Sequence, residues 1–202
     1  VGVNSLYANT ASSNTAVGDA ALYTNTSGAD NVAMGRNALF LNTTGGTNVA
    51  IGNYALDANT TADGSTAVGA YALTANTTGS ENNAVGKSAL GANTEGNYNN
   101  AIGREALRQN TTGSNNVAFG HEALENNTTA SNNTAIGYEA LAANTTGTNL
   151  VAVGAGALDS NTTGSGNIAI GKDALQTNTD ASHNIAIGQG ALYFNTSGTQ
   201  NT

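Results

Sequence analysis

The chain contains no cysteine. Disulfides and thiolate metal sites are therefore excluded. Charge is scarce, at 9% of 202 residues, and leans acidic, with 13 Asp and Glu against 5 Lys and Arg. A surface this poor in basic residues offers nothing to a phosphate backbone, so nucleic acid is not an expected partner. No apolar run approaches the ~20 residues that a membrane-spanning helix needs. Histidine is limited to His121 and His183. They stand in different contexts with no nucleophile recurring beside them, so catalysis finds little support.

What the chain has instead is a repeat. Gly154 to Ile170 reads G-A-G-A-L-D-S-N-T-T-G-S-G-N-I-A-I, and Gly171 to Ile187 reads G-K-D-A-L-Q-T-N-T-D-A-S-H-N-I-A-I. The same unit starts at Gly18, Gly35, Gly52, Gly69, Gly86, Gly103, Gly120 and Gly137, and again at Gly188, always 17 residues on. Only the first step, from Gly2 to Gly18, is 16 residues. A fixed short period over the whole length marks a solenoid or fibre. Residues 1–202 are read as one all-β array of about twelve coils, a parallel β-solenoid. At ~4.8 Å per rung such a rod is roughly 55–60 Å long. Both ends cut a unit open, which suggests a segment of a longer protein or a subunit that stacks end to end.

Internal copies can be compared as columns. The residue two before each glycine is alanine throughout, and the fourth after it is leucine from Leu6 to Leu192. The residue just before the glycine is apolar but varied in size: Val17, Met34, Ile51, Val68, Val85, Ile102, Phe119, Ile136, Val153, Ile170 and Ile187. N-V-A-I-G reads as a short strand with alternating side chains. Invariant Ala and Leu suit the inside of a thin coil, where a larger side chain would clash. The varied column then lies outside and packs against other copies around a shared axis, forming a homo-oligomer, most simply a three-fold bundle. The reverse assignment puts Val and Ile inside and Ala on a smooth exterior. The stretch A-L-x-x-N is rich in helix formers. A helical turn in every coil would fan the array, however, so a straight rod calls for a more extended path.

Two Asn columns recur, one opening the strand and one opening the turn. Stacked amides can bond rung to rung, and Asn also tolerates left-handed backbone in turns. Turn glycines such as Gly45, Gly113 and Gly164 are expected to supply positive φ. N-T-[ST] at Asn25, Asn42, Asn59, Asn76, Asn110, Asn127, Asn144, Asn161 and Asn195 forms candidate N-glycosylation acceptors. The adjacent threonines are further candidates for decoration. The same pattern is what an Asn-Thr turn ladder produces. Glu105, Glu122 and Glu139 stack in one column beside Arg104, His121 and Tyr138. A solvated edge with rung-to-rung charge pairs accounts for them. No metal site, cofactor or catalytic residue is named.

Asn48 to Ala55, N-V-A-I-G-N-Y-A, and Asn167 to Ala174, N-I-A-I-G-K-D-A, resemble the YadA-like head repeats of trimeric autotransporter adhesins. The resemblance recurs in every unit. The N-T-A-I-G…A-L…N-T-T-G pattern is also similar to arrays in tail-fibre-type proteins. The resemblance implies a left-handed parallel β-roll, a trimer, and an extracellular adhesive role on a cell surface or virion. The coil here is three residues longer than in the adhesin head, the addition falling in A-L-x-x-N-T-T-G. The implied function is a non-catalytic structural or adhesive fibre segment. The implied partners are the chain itself and a host surface or glycan. The alternatives are a phage tail-fibre shaft or a purely mechanical filament. A polysaccharide-degrading β-helix enzyme is a third class, and it would need clustered carboxylates.

Overall fold

A computed structural model describes all of residues 1–202. The chain is an all-β parallel solenoid without a helix, and its only regular elements are eleven three-residue strands. They run from β1 (Thr15–Val17) through β2 (Val32–Met34) and β3 (Val49–Ile51) to β11 (Ile185–Ile187). All belong to one sheet in chain order, each parallel to the next. The register equals the sequence period: Val32 faces Val49, Ala33 faces Ala50, and Met34 faces Ile51. Eleven strands form rather than twelve rungs, because only Val1 precedes the first glycine.

The strand faces resolve the two assignments left open by the sequence. Alanine at the strand centre points inward; Ala33, Ala50 and Ala101 are fully buried. Its two neighbours point outward and stay half-exposed or exposed. The apolar interior holds three side chains per coil, typified by Ala50, Ala55 and Leu56, all fully buried and joined in one continuous core. A narrow interior explains why these columns do not vary: one added methylene has nowhere to go.

A-L-x-x-N is neither helix nor strand. Gly52 to Ala55 closes a turn, with the Ala55 N–H donating to the Gly52 carbonyl at 3.3 Å. Leu56 to Asn59 closes another at 3.2 Å. Positive φ falls at non-glycine positions: Tyr54 at 58° and Leu56 at 52°, with their equivalents in every coil. Placing a leucine there costs about 1–2 kcal/mol. Burying it completely returns about 1.5–3 kcal/mol, so burial prevails. Both neighbours also fix the backbone: the Tyr54 N–H donates to the Arg36 carbonyl at 2.9 Å, and the Leu56 N–H to the Ala72 carbonyl at 3.0 Å. Of 135 backbone hydrogen bonds, 115 lie outside the strand pairs. Turns, more than strands, hold one coil on the next.

The turn glycines differ from the sequence expectation. Gly45, Gly113 and Gly164 do not adopt positive φ. They are small because the neighbouring coil is close: a Cβ on Gly45 would lie 2.3 Å from the Ala62 carbonyl oxygen. Positive φ falls at the glycines that start each coil, such as Gly52 at 141°, where a Cβ would also meet the Gly69 carbonyl at 2.5 Å, and at Gly64 and Gly166 further along the turn, at 66° and 68°.

Candidate functional site

Four ladders run along the rod, the charged one over only part of its length, and each accounts for one group of candidate residues. The strand-end column forms the first. Val17, Met34, Ile51, Val85, Ile102, Phe119, Ile136, Ile170 and Ile187 are exposed large hydrophobics. Val68 and Val153 in the same column are half-buried. The registers Val17 with Met34, Ile102 with Phe119, and Ile170 with Ile187 make it continuous. Beside it runs a second outward column of mixed character. Val32, Val49, Val117, Val151, Ile168 and Ile185 are aliphatic, whereas Thr66, Asn83 and Asn100 are polar and adjacent. The Asn83 amide donates to Asn100 Oδ1 at 2.9 Å in the open. Thr15 and Thr134 are polar as well, so the outer sheet face is a narrow apolar stripe that is widest around residues 32–51 and 151–187. Long contiguous apolar stripes of this kind mark interaction surfaces.

The turn asparagines, the candidate glycan acceptors, form the second ladder. Asn25, Asn42, Asn59, Asn76, Asn110, Asn127, Asn144 and Asn161 are fully buried. Their amide nitrogens, the atoms a glycan would join, are already committed. Asn42 Nδ2 donates to Asn25 Oδ1 at 2.7 Å and to the Gly45 carbonyl at 2.9 Å. Asn127 repeats this with Asn110 Oδ1 at 2.8 Å and Ala130 at 3.0 Å. Asn195, in the last coil, is half-buried and makes the same pair of bonds at 3.3 and 2.9 Å. The adjacent threonines are also engaged: Thr43 Oγ1 donates to the Thr60 carbonyl at 2.9 Å. The folded coil therefore presents no free amide at these sequons.

Strand-opening asparagines form the third ladder. Asn31 Oδ1 accepts from the Asn48 backbone N–H at 2.9 Å. Asn31 Nδ2 donates to the Gly45 carbonyl at 2.9 Å, the same oxygen that Asn42 reaches. One carbonyl per coil thus ties both ladders together. Ser65 and Leu150 interrupt this column, and at Leu150 the side-chain acceptor is lost. Neither Asn column takes positive φ. Side-chain bonding explains the Asn columns; left-handed backbone does not.

The fourth is the charged edge. Arg104 pairs with Glu105 in its own rung at 2.9 Å, and Arg108 reaches Glu125 in the next at 2.6 Å. His121 Nε2 lies 3.5 Å from Glu122, and its ring stacks on Tyr138 at 5.6 Å. The His121 Nδ1 atom is buried without a partner. The Arg104 guanidinium holds the Glu105 carboxyl below its ordinary range. A hydrogen bond with Glu139, and that carboxylate's charge, push the Tyr138 hydroxyl up. Burial pushes Asp159 up, helped by the charges of Glu139 and Asp173. Burial also raises Asp57, against a 2.7 Å hydrogen bond from Thr74. No group of three or more His, Asp or Glu side chains is arranged to hold a metal ion.

Sequence reasoning missed two features. Aromatic side chains stack rung to rung: Tyr7 on Tyr23 at 5.0 Å, Tyr23 on Phe40 at 5.3 Å, and Tyr54 on Tyr71 at 5.3 Å. Beyond Tyr71 the edge is notched where Ser88 and Gly91 replace larger residues. Both are visible as columns, but only the positive-φ turns bring those columns to one edge.

Comparison with family models, curated proteins and solved structures finds no match for this chain.

Proposed function

We propose that this chain is a segment of an extracellular, non-catalytic fibre, a rod that associates with copies of itself along its sheet face and presents its turns to a surface. The observation that carries this reading is the unbroken outer ladder from Val17 to Ile187, nine of whose eleven members are exposed in the single chain. The resemblance to trimeric adhesin head repeats supports a three-fold bundle and a place on a cell surface or virion. Carboxylates such as Glu105 and Glu125 are charge-paired on an exposed edge. That arrangement fits a solvated surface better than a general acid and base waiting for a substrate. No helix is long and apolar enough to cross a membrane.

The test is the mass of the purified chain in solution, followed by its retention on cells or polysaccharide-coated surfaces. A trimeric mass with saturable retention is the expected result. A trimer that adheres to nothing leaves the mechanical filament. A stable monomer that cleaves glycans overturns the reading altogether.

A further inference from the structure

An open notch of about 470 Å³ lies on the turn edge, lined by Tyr71, Ser88, Gly91, Arg108 and Gln109. It arises from a gap in two ladders. Tyr54 and Tyr71 stack with their planes 4° apart, so the stack runs along the rod. The next rung offers only Ser88, and the far face of the Tyr71 ring is left uncovered, with the residue 44% exposed. Gly91 stands beside Ser88 in that rung and contributes no side chain to fill the space. One rung further Arg108 closes the opening, held by Glu125 through its Nε at 3.0 Å and Nη2 at 2.6 Å. Two rungs separate Tyr71 from Arg108, about 9–10 Å. That leaves room for one ring at ordinary stacking distance from the tyrosine.

We propose that this notch binds one pyranose residue of a neutral glycan, seated on Tyr71 as the next member of the Tyr54–Tyr71 stack. The C–H face of a sugar packs on the aromatic ring. The Ser88 hydroxyl, the Gln109 amide and the remaining Arg108 nitrogen stand around the rim for its hydroxyls. A sugar uses both features, its C–H face on the ring and its hydroxyls towards the rim groups, whereas a flat apolar ring would use only the first. The ligand is neutral because the Arg108 charge is answered by Glu125, with Glu105 also 4.0 Å away. The biological source of such a glycan rests on the surface-fibre reading, whereas binding itself is a property of the isolated rod.

The experiment titrates the intact chain with the methyl glycosides of glucose, galactose, mannose and N-acetylglucosamine, and with a 1,4-linked glucan trisaccharide, by ligand-observed NMR. Expected is saturable binding near ~1 mM, the range of a single small contact surface. Preference for one monosaccharide indicates a terminal glycan residue, and preference for the trisaccharide a passing polymer. Ser88→Tyr fills the notch with the residue this column already carries at Tyr54 and Tyr71, where φ is 58° and 61° against 57° at Ser88. It should keep the melting temperature while weakening binding about tenfold or more, as should Tyr71→Ala through loss of the stacking face. Absence of saturable binding overturns the proposal, as does unchanged binding in a folded Ser88→Tyr chain. Binding of indole without any pyranoside also overturns it. A chain that assembles and adheres without binding sugars sinks the notch alone. A monomer that binds sugars but no surface sinks the fibre reading alone.

Discussion

A buried asparagine in this rod uses both ends of its amide. Asn110 Nδ2 donates to Asn93 Oδ1 at 2.7 Å and to the Gly113 carbonyl at 2.9 Å, while its own Oδ1 receives Asn127 Nδ2 at 2.8 Å. Asn110→Leu keeps the branching at Cγ, adds volume, and leaves Asn93 and Asn127 each short of a partner. A loss of about 1–3 kcal/mol is expected, seen as a lower denaturation midpoint at constant slope. The equivalent change at half-buried Asn195 should cost less, because water can replace the lost bonds there. Aspartates supply the pH dependence. Asp159 is pushed above its ordinary 3.8 by burial and by Glu139 and Asp173. A carboxyl whose folded pKa is raised binds its proton more tightly when folded. Its contribution is present in full below 3.8 and is lost as pH rises through the raised value. Thermal melts should therefore gain stability between pH 7 and about pH 4 from this site, and Asp159→Asn should be the more stable chain at pH 7. Equal melting temperatures at pH 7 would sink that account.

At the scale of the coil, the two glycine columns separate backbone strain from crowding. Gly52→Ala meets both, a φ of 141° and a Cβ 2.5 Å from the Gly69 carbonyl oxygen. Gly147→Ala meets crowding alone, 2.3 Å from the Gly164 carbonyl oxygen, in a column where Ala62, Ala130 and Ala181 already stand. The first substitution should cost several kcal/mol and the second no more than about 1 kcal/mol, with proteolytic nicking confined to the altered coil in the first. Period, strand position and core columns were legible in the sequence. A position that is always Ala or always Leu in eleven copies reports an interior too narrow for change. The turn was not legible, because leucine carries no mark of left-handed backbone. Leu56 takes φ 52° since two neighbouring coils fix its backbone, not through any preference of its own. Asn-Thr-Thr was ambiguous for a related reason: a sequon and a buried amide ladder have the same spelling. Burial of the side chain, which the spelling does not contain, tells them apart. The notch at Ser88 and Gly91 was unreadable until the turn placed their columns on one edge.

Across the whole molecule, the question is what the outer ladder does when no partner covers it. A member such as Ile51 is 38% exposed, and its strand neighbour Val49 is half-buried. Completing the burial of a partly covered aliphatic side chain is worth about 1 kcal/mol. Eleven in line then yield on the order of 10 kcal/mol, comparable with the ~4–15 kcal/mol that association costs. The strand-end column alone makes assembly marginal. The second column has to join, and it is aliphatic at Val32, Val49, Val151, Ile168 and Ile185 but polar at Thr66, Asn83 and Asn100. With Thr15 and Thr134 also polar, the seam is strongest around residues 32–51 and 151–187 and wettest near β5 (Asn83–Val85) and β6 (Asn100–Ile102). Replacing Ile51, Ile102 and Ile136 together with Asp puts three charges on the outer face without touching the Ala and Leu interior. Each coil should still fold, and circular dichroism should be unchanged. In a bundle each Asp would face its symmetry mates across a dry seam, a cost of several kcal/mol that nothing offsets. The expected outcome is an oligomer for the native chain and a folded monomer for the triple variant, read by native mass spectrometry. Among single changes, Ile51→Asp should dissociate the bundle more than Ile102→Asp, because β6 already borders polar Asn100. If the native chain is monomeric at concentrations well above those of the fibre, the stripe is not a self-association seam.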